Sequence, residues 1–327
     1  MTKLLLALLL FALPAQAEEK LVALLPVSIC QTQSMGSALT FIAEHKGYFA
    51  EEGLKVESVT MNNAKLCQDN ALAGRSDVSF SADSQLTALV LHSAVAPMKI
   101  LAQIQDGGDI AVAARRDRGI RNEADLRGKT IGYALASGSF MYTVHLLEKL
   151  GLAPADVKLS PLQAPAIPPA LAGGVVDAAV IWEPWNSLAM NGLGENGYKL
   201  HDHNLFHWTF MMTATDKIIA EKPEAIRRLL RAILRAEAEI RRDPESSQQY
   251  LATVLKMDGA DLAKIWTYYD NTVRLDQSLV ARLHSDAEHF VRYDENFHTD
   301  SELPDFRALI VPDFLREIAP DRVTLAP

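Results

Sequence analysis

The chain is poor in cysteine, with only Cys30 and Cys67 among its 327 residues. In an oxidising compartment the two are expected to pair. Two separate thiols, or a soft-metal site that adds Met35 and Met61, are the alternatives left open by spacing alone. Long apolar runs are also scarce. The longest, Leu4 to Leu13, falls well short of the roughly 20 residues that a membrane-spanning helix needs. It follows Lys3 and leads into Ala15-Gln16-Ala17, the small-x-small form of a signal-peptidase site, so residues 1–17 read as a leader cleaved after Ala17. Glu18 stands where a lipoprotein would carry its anchoring cysteine, and a free exported protein is expected. Nor is there an excess of basic charge: the net charge of −9 argues against a nucleic-acid partner, whose phosphates require a basic face.

Motifs for common chemistries are missing as well. Gly192-Leu193-Gly194-Glu195-Asn196-Gly197 has the GxGxxG form, but it lacks a preceding strand and a following helix and reads as a loop. Gly128-Lys129-Thr130 resembles the end of a phosphate-binding loop, yet Glu123 occupies the position of the required earlier glycine. His201, His203 and His207 have no cysteine or carboxylate pattern around them that would complete a closed metal site, so neither metal nor cofactor is expected. No catalytic triad or carboxylate pair can be assigned.

What is there is alternation. Leu21–Val27, Leu54–Val59 and Asp77–Phe80 read as strands separated by helices, one of them Cys67–Leu72. Lys99–Gln103, Ile110–Ala114, Thr130–Ala134 and Ala178–Trp182 continue the pattern, with Pro161–Pro169 as a proline-rich connector. From Pro223 the character changes. Ile226, Leu229, Leu230, Ile233, Leu234 and Ile240 form an apolar helical stripe, and Arg227, Arg228, Arg231 and Arg235 an opposite face expected to be solvated. An α/β fold of two domains with a helical C-terminal tail follows.

Several local patterns in this order resemble one family. They include Ala43-Glu44-His45-Lys46-Gly47-Tyr48-Phe49, Ala71-Leu72-Ala73-Gly74-Arg75-Ser76-Asp77-Val78, Ala124-Asp125-Leu126-Arg127-Gly128-Lys129 and Trp182-Glu183-Pro184. The chain is similar to the periplasmic binding proteins for sulfonates, nitrate, taurine and thiamine-precursor pyrimidines. The resemblance implies a type II-like two-lobed fold, with two parallel-sheet lobes joined by two crossing strands. Lobe 1 would comprise 18–112 and 213–327, and lobe 2 would comprise 113–212. It further implies a monomer that captures a small molecule between the lobes and delivers it to an ABC permease of the inner membrane with its separate ATPase. An enzyme is not expected, although thiamine-pyrimidine synthases share the fold and form the alternative.

Matching positions place the ligand near Ser28, Cys30 and Gln31, near Ser81, Asp83 and Ser84, at Gln103, and at Ser137, Gly138, Ser139, Phe140, Trp182 and Glu183. Ser137 to Phe140 begins a helix, where free backbone N–H groups favour an electron-rich group. Asp83 and Glu183 beside aromatic rings suit a flat heterocycle or a zwitterion better than a bare anion.

Overall fold

The structure is a computed structural model that describes residues 23–93, 97–293 and 302–325. The leader and its cleavage after Ala17 lie outside the described residues. Among those residues no helix is long and apolar enough to cross a membrane.

Short apolar segments alternating with helices build the first sheet from β1 (Leu25–Thr32), β2 (Leu54–Met61), β3 (Val78–Ala82) and β4 (Lys99–Gly107). The chain then crosses to a second sheet made of β5 (Ala111–Arg115), β6 (Thr130–Ala134), β7 (Lys158–Leu162), β8 (Ala178–Ile181) and β9 (Gly197–Leu200). It returns through β10 (Trp208–Ala214) and later adds β11 (Tyr269–Asp270) to the first sheet. The orders are β11-β4-β10-β3-β1-β2 and β7-β6-β8-β5-β9. The fold is thus the expected two-lobed α/β arrangement, joined at 108–110 and 201–207.

Two expectations are corrected by this topology. Both sheets are mixed rather than wholly parallel, because β5 pairs antiparallel with β8 and β9, and β10 antiparallel with β3 and β4. A strand arriving straight from the other lobe enters its sheet where the parallel strands finish, so it has to run against them. The lobe boundaries move for the same reason. Val112 lies within β5 of the second sheet, and Trp208–Met212, placed in lobe 2 from the sequence, lie within β10 of the first.

Local chemistry explains the other differences. β1 continues through its polar half because Ser28 is satisfied sideways: its amide and hydroxyl both donate to Asp77 Oδ2, at 2.8 and 3.1 Å. Pro161 sits inside β7 rather than in a connector, which an edge strand tolerates because one side of its backbone has no partner strand. The GxGxxG segment is the end of a helix, a 3-10 turn and the start of β9, the reverse of a dinucleotide site.

The long helix Pro223–Arg242 buries Ile226, Leu229, Leu230 and Ile233 against the first lobe. Its arginines are not simply solvated. Arg231 Nε donates to Glu52 Oε2 at 2.8 Å, Arg235 pairs with Glu51 and Glu52, and Arg227 Nε reaches Glu317 at 2.8 Å. The face is therefore partly engaged in holding the tail on the lobe.

Candidate functional site

Because the parallel strands of each sheet end toward the other lobe, their following loops and helix starts enclose a cleft of about 470 Å³ including its mouth. The first lobe contributes Thr32 at the end of β1, Ser34 to Gly36 beyond it, Asn63 and Ala64 after β2, Ala82 at the end of β3 and Gln85 beyond it. The second contributes Gly138 and Trp182, the crossing segment Asp109 and Ile110, and β10 Trp208 and Phe210.

Helices Ala64–Leu72, Asp83–Leu91 and Gly138–Lys149 all begin at this cleft. Their N-terminal N–H groups bring partial positive charge to one place. Asn63 and Ser137 cap two of them, accepting from Leu66 N at 3.0 Å and Ser139 N at 3.2 Å. Among the described residues no lysine or arginine lines the cleft. Trp182, Trp208 and Phe210 supply ring surface, with Trp208 and Phe210 set edge to face at 5.8 Å. The rings fit closely over the backbone: a Cβ on Gly36 would lie 2.6 Å from Phe210 Cδ2. Glycine at position 36 is what lets the Phe210 ring lie there.

Asp109 is the single carboxylate in the lining among the described residues, and sequence reasoning missed it. Its Oδ1 accepts from Trp208 Nε1 at 2.7 Å and its Oδ2 from Glu183 N at 2.9 Å, so one side chain ties a first-sheet strand to a second-lobe loop. Burial pushes its pKa up, and those two donors oppose the rise. A visible signal existed, since Gly107-Gly108-Asp109 interrupts two apolar strands. Asn63, Gln85, Trp208 and Phe210 were missed because they converge only in three dimensions.

Of the residues singled out from the sequence, the structure brings Gly138 and Trp182 into the cleft wall. Ser137 and Ser139 lie at the same helix start, but their hydroxyls bind backbone: Ser137 Oγ donates to Ala134 O at 2.6 Å, and Ser139 Oγ to Val180 O at 2.6 Å. Phe140 turns into the core against Phe290, ring centres 5.7 Å apart. Ser28 is held by Asp77, away from the strand end, and buried Gln31 has its Nε2 3.4 Å from Glu44 Oε2. Gln103 Oε1 accepts from Asp276 N at 3.0 Å. Ser81 Oγ lies 3.5 Å from Gln68 Nε2. Cys30 joins Cys67 in a disulfide with a Cα–Cα distance of 5.2 Å, beneath the Asn63 corner.

Glu183 faces elsewhere. Its carboxylate accepts from Ser187 N at 2.9 Å and from Lys199 Nζ at 3.0 Å, and it borders a separate, open hollow of about 1100 Å³ with Tyr268 and Lys264. That hollow is the larger of the two. The first cleft is the better site, because strand ends, helix starts and rings converge there.

Asp83 is buried behind the cleft, accepting from Thr209 N at 2.7 Å and Ser84 N at 2.8 Å. Burial pushes its pKa up to about 6, against the pull of Arg282 and the two N–H donors, and the neighbouring Asp286 is itself raised well above its ordinary range by burial. A carboxyl whose pKa is higher in the folded state binds more protons there than in the unfolded chain. The contribution of Asp83 to stability should therefore fall as pH rises from about 4 to 6, with a slope of up to about 1.4 kcal/mol per pH unit for one proton. Urea unfolding of parent and Asp83→Asn across this range should show that slope as the difference between the two. An unchanged slope in that variant would refute the assignment.

Residues 34–247 match the family described as NMT1/THI5 like. The chain belongs to that family. It is 29% identical over 233 residues to a protein of Brucella abortus named as a binding protein, covering 69% of this chain and 70% of that one. It is 23% identical over 225 residues, 64% of each chain, to the 4-amino-5-hydroxymethyl-2-methylpyrimidine phosphate synthase of Schizosaccharomyces pombe. In fold it is similar to the alkanesulfonate-binding protein SsuA of Xanthomonas axonopodis pv. citri bound to MOPS, with a TM-score of 0.72 at 17% identity, covering 88% of this chain and 98% of the other. The resemblance read from the sequence and the two-lobed substrate-binding fold both stand.

Proposed function

We propose that this chain is the periplasmic capture component of an ABC importer, and that its ligand is a flat, polar heterocycle or a zwitterion. The observation that carries the ligand class is the cleft itself. Three helix starts offer N–H donors to an electron-rich edge, ring side chains cover a flat face, and Asp109 can accept an N–H with no lysine or arginine among the described residues lining the cleft. A sulfonate alone would use the helix starts and leave the rings and the carboxylate without a role. The chain crosses between lobes at 108–110 and 201–207, and closure about these segments presents the loaded form to a permease. Processing after Ala17, a periplasmic location and a monomeric state belong to the same reading.

Native mass spectrometry of protein recovered from the periplasm, followed by calorimetry with an aminopyrimidine, a flavin, taurine and nitrate, tests it. A heterocycle bound one to one, with Trp182→Ala weakening it about 10- to 100-fold through the lost ring contact, is the expected result. Tight nitrate or taurine binding that is indifferent to Trp182→Ala would reject the ligand class.

The synthase relative favours a second reading, an enzyme of the thiamine-pyrimidine type. Both cysteines of this chain are joined in the disulfide, so no free thiol is offered for chemistry. Recovery of the bound molecule chemically unchanged after prolonged incubation supports capture, and its conversion supports the enzyme.

A further inference from the structure

Outside the cleft, two histidines and a glutamate meet where the lobes touch through the helical tail. His145 and Glu148 share one face of helix Gly138–Lys149 in the second lobe. His289 projects from helix Gln277–Tyr293, which also packs on helix Asp83–Leu91 of the first lobe. We propose that His145, Glu148 and His289 form a binding site for one borderline divalent ion of the zinc, cobalt or nickel class, and that the ion fastens the second lobe to the tail.

The geometry carries the inference. Glu148 Oε2 lies 3.4 Å from His289 Nε2 and 3.8 Å from His145 Nδ1, and the three ligand atoms lie within 4.8 Å of one another. Bonds of about 2.0–2.1 Å in a tetrahedron separate ligand atoms by roughly 3.4 Å, so only small side-chain movements close the site. The supporting contacts match as well. His289 Nδ1 is 2.7 Å from Ser285 O, which can only accept, so Nδ1 carries a proton and a neutral ring presents the Nε2 lone pair to the carboxylate. Two acceptors facing each other at 3.4 Å need a proton or a cation between them. Tyr293 OH donates to Glu148 Oε1 at 2.6 Å and leaves Oε2 for the ion. Arg292 is 3.6 Å from that same Oε1, but its side chain is 63% exposed and can turn into solvent. Two imidazoles and one carboxylate favour this class of ion over calcium or magnesium, which prefer all-oxygen sites. Three protein ligands leave a fourth position to water.

Untagged protein, stripped with chelator, should be titrated with Co²⁺ alone and followed by visible absorption, with Zn²⁺ added to displace it. The expected result is saturable one-to-one binding with the bands of a four-coordinate ion. His289→Gln and Glu148→Gln should each weaken it by more than the 10- to 100-fold typical of losing an outer-shell partner. Glu148→Gln keeps an acceptor for Tyr293, so it serves as the readout if His289→Gln disturbs folding by circular dichroism. His203→Gln, in the separate histidine group near Tyr268, should leave binding unchanged. Absence of saturation up to about 1 mM Co²⁺ overturns the site, because binding at that level is too weak to fasten anything. Binding that survives both substitutions, or that is lost with His203→Gln, also overturns it.

Discussion

Asp109→Ala should lower the unfolding free energy by about 2–4 kcal/mol and weaken ligand capture at least about tenfold. The side chain is buried between a first-sheet strand and a second-lobe loop, and its two oxygens accept from Trp208 Nε1 and Glu183 N. Removing both acceptors leaves two buried N–H groups unsatisfied, each costing about 1–3 kcal/mol. Part of that loss is offset, because burial already disfavours the ionised carboxyl. Binding suffers through two routes. The ligand loses an acceptor, and the Trp208 ring loses the contact that fixes its plane in the cleft wall. Urea unfolding and calorimetry on the same preparation separate the two. Asp109→Asn, which retains one accepting oxygen, should fall between parent and alanine variant in both. Parent-like stability and affinity in Asp109→Ala would refute the bracing role.

Replacing both cysteines, Cys30→Ala with Cys67→Ala, should cost about 4 kcal/mol of stability by the chain-entropy relation for a loop closed over a separation of 37 residues. The bond also has a positional effect. Cys67 lies on the helix whose first residues, Asn63 and Ala64, line the cleft, and Cys30 lies on β1, whose last residue is Thr32. Without the bond that helix start is held by packing alone, so the loss should extend to affinity as well as to unfolding. Thermal unfolding with and without reductant is the direct measurement. A transition that does not move on complete reduction would show that the bond contributes nothing to the native state.

The strand and helix order was legible along the chain. β6 falls at Thr130–Ala134 as its composition suggests, and the apolar stripe from Ile226 to Ile240 forms one helix over Pro223–Arg242. These are local signals, since periodicity and end residues lie within a few positions of one another. One difference came from polarity read in one dimension. Ser28 ended a strand on paper but continues it in space because Asp77 answers its hydrogen bonds. Asp83 and Glu183, expected near the ligand, have carboxylates that accept hydrogen bonds from protein partners.

The sequence by itself determined the two α/β units, the helical tail and the helix start after Ser137, which follow from short-range patterns of burial and capping, whereas the helix read from Cys67 begins at Ala64 and the one at Asp83, which no side chain caps, had no sequence signal. Which side chains face the cleft was decided only by tertiary structure. Trp208 and Phe210 enter it because β10 returns antiparallel into the first sheet, Asp109 because the crossing segment passes between the lobes, and His145 meets His289 because the tail helix spans both. Such encounters depend on residues far apart in the chain, 99 positions for Asp109 and Trp208, whose approach is fixed by how the sheets and helices pack and leaves no periodic trace in the chain.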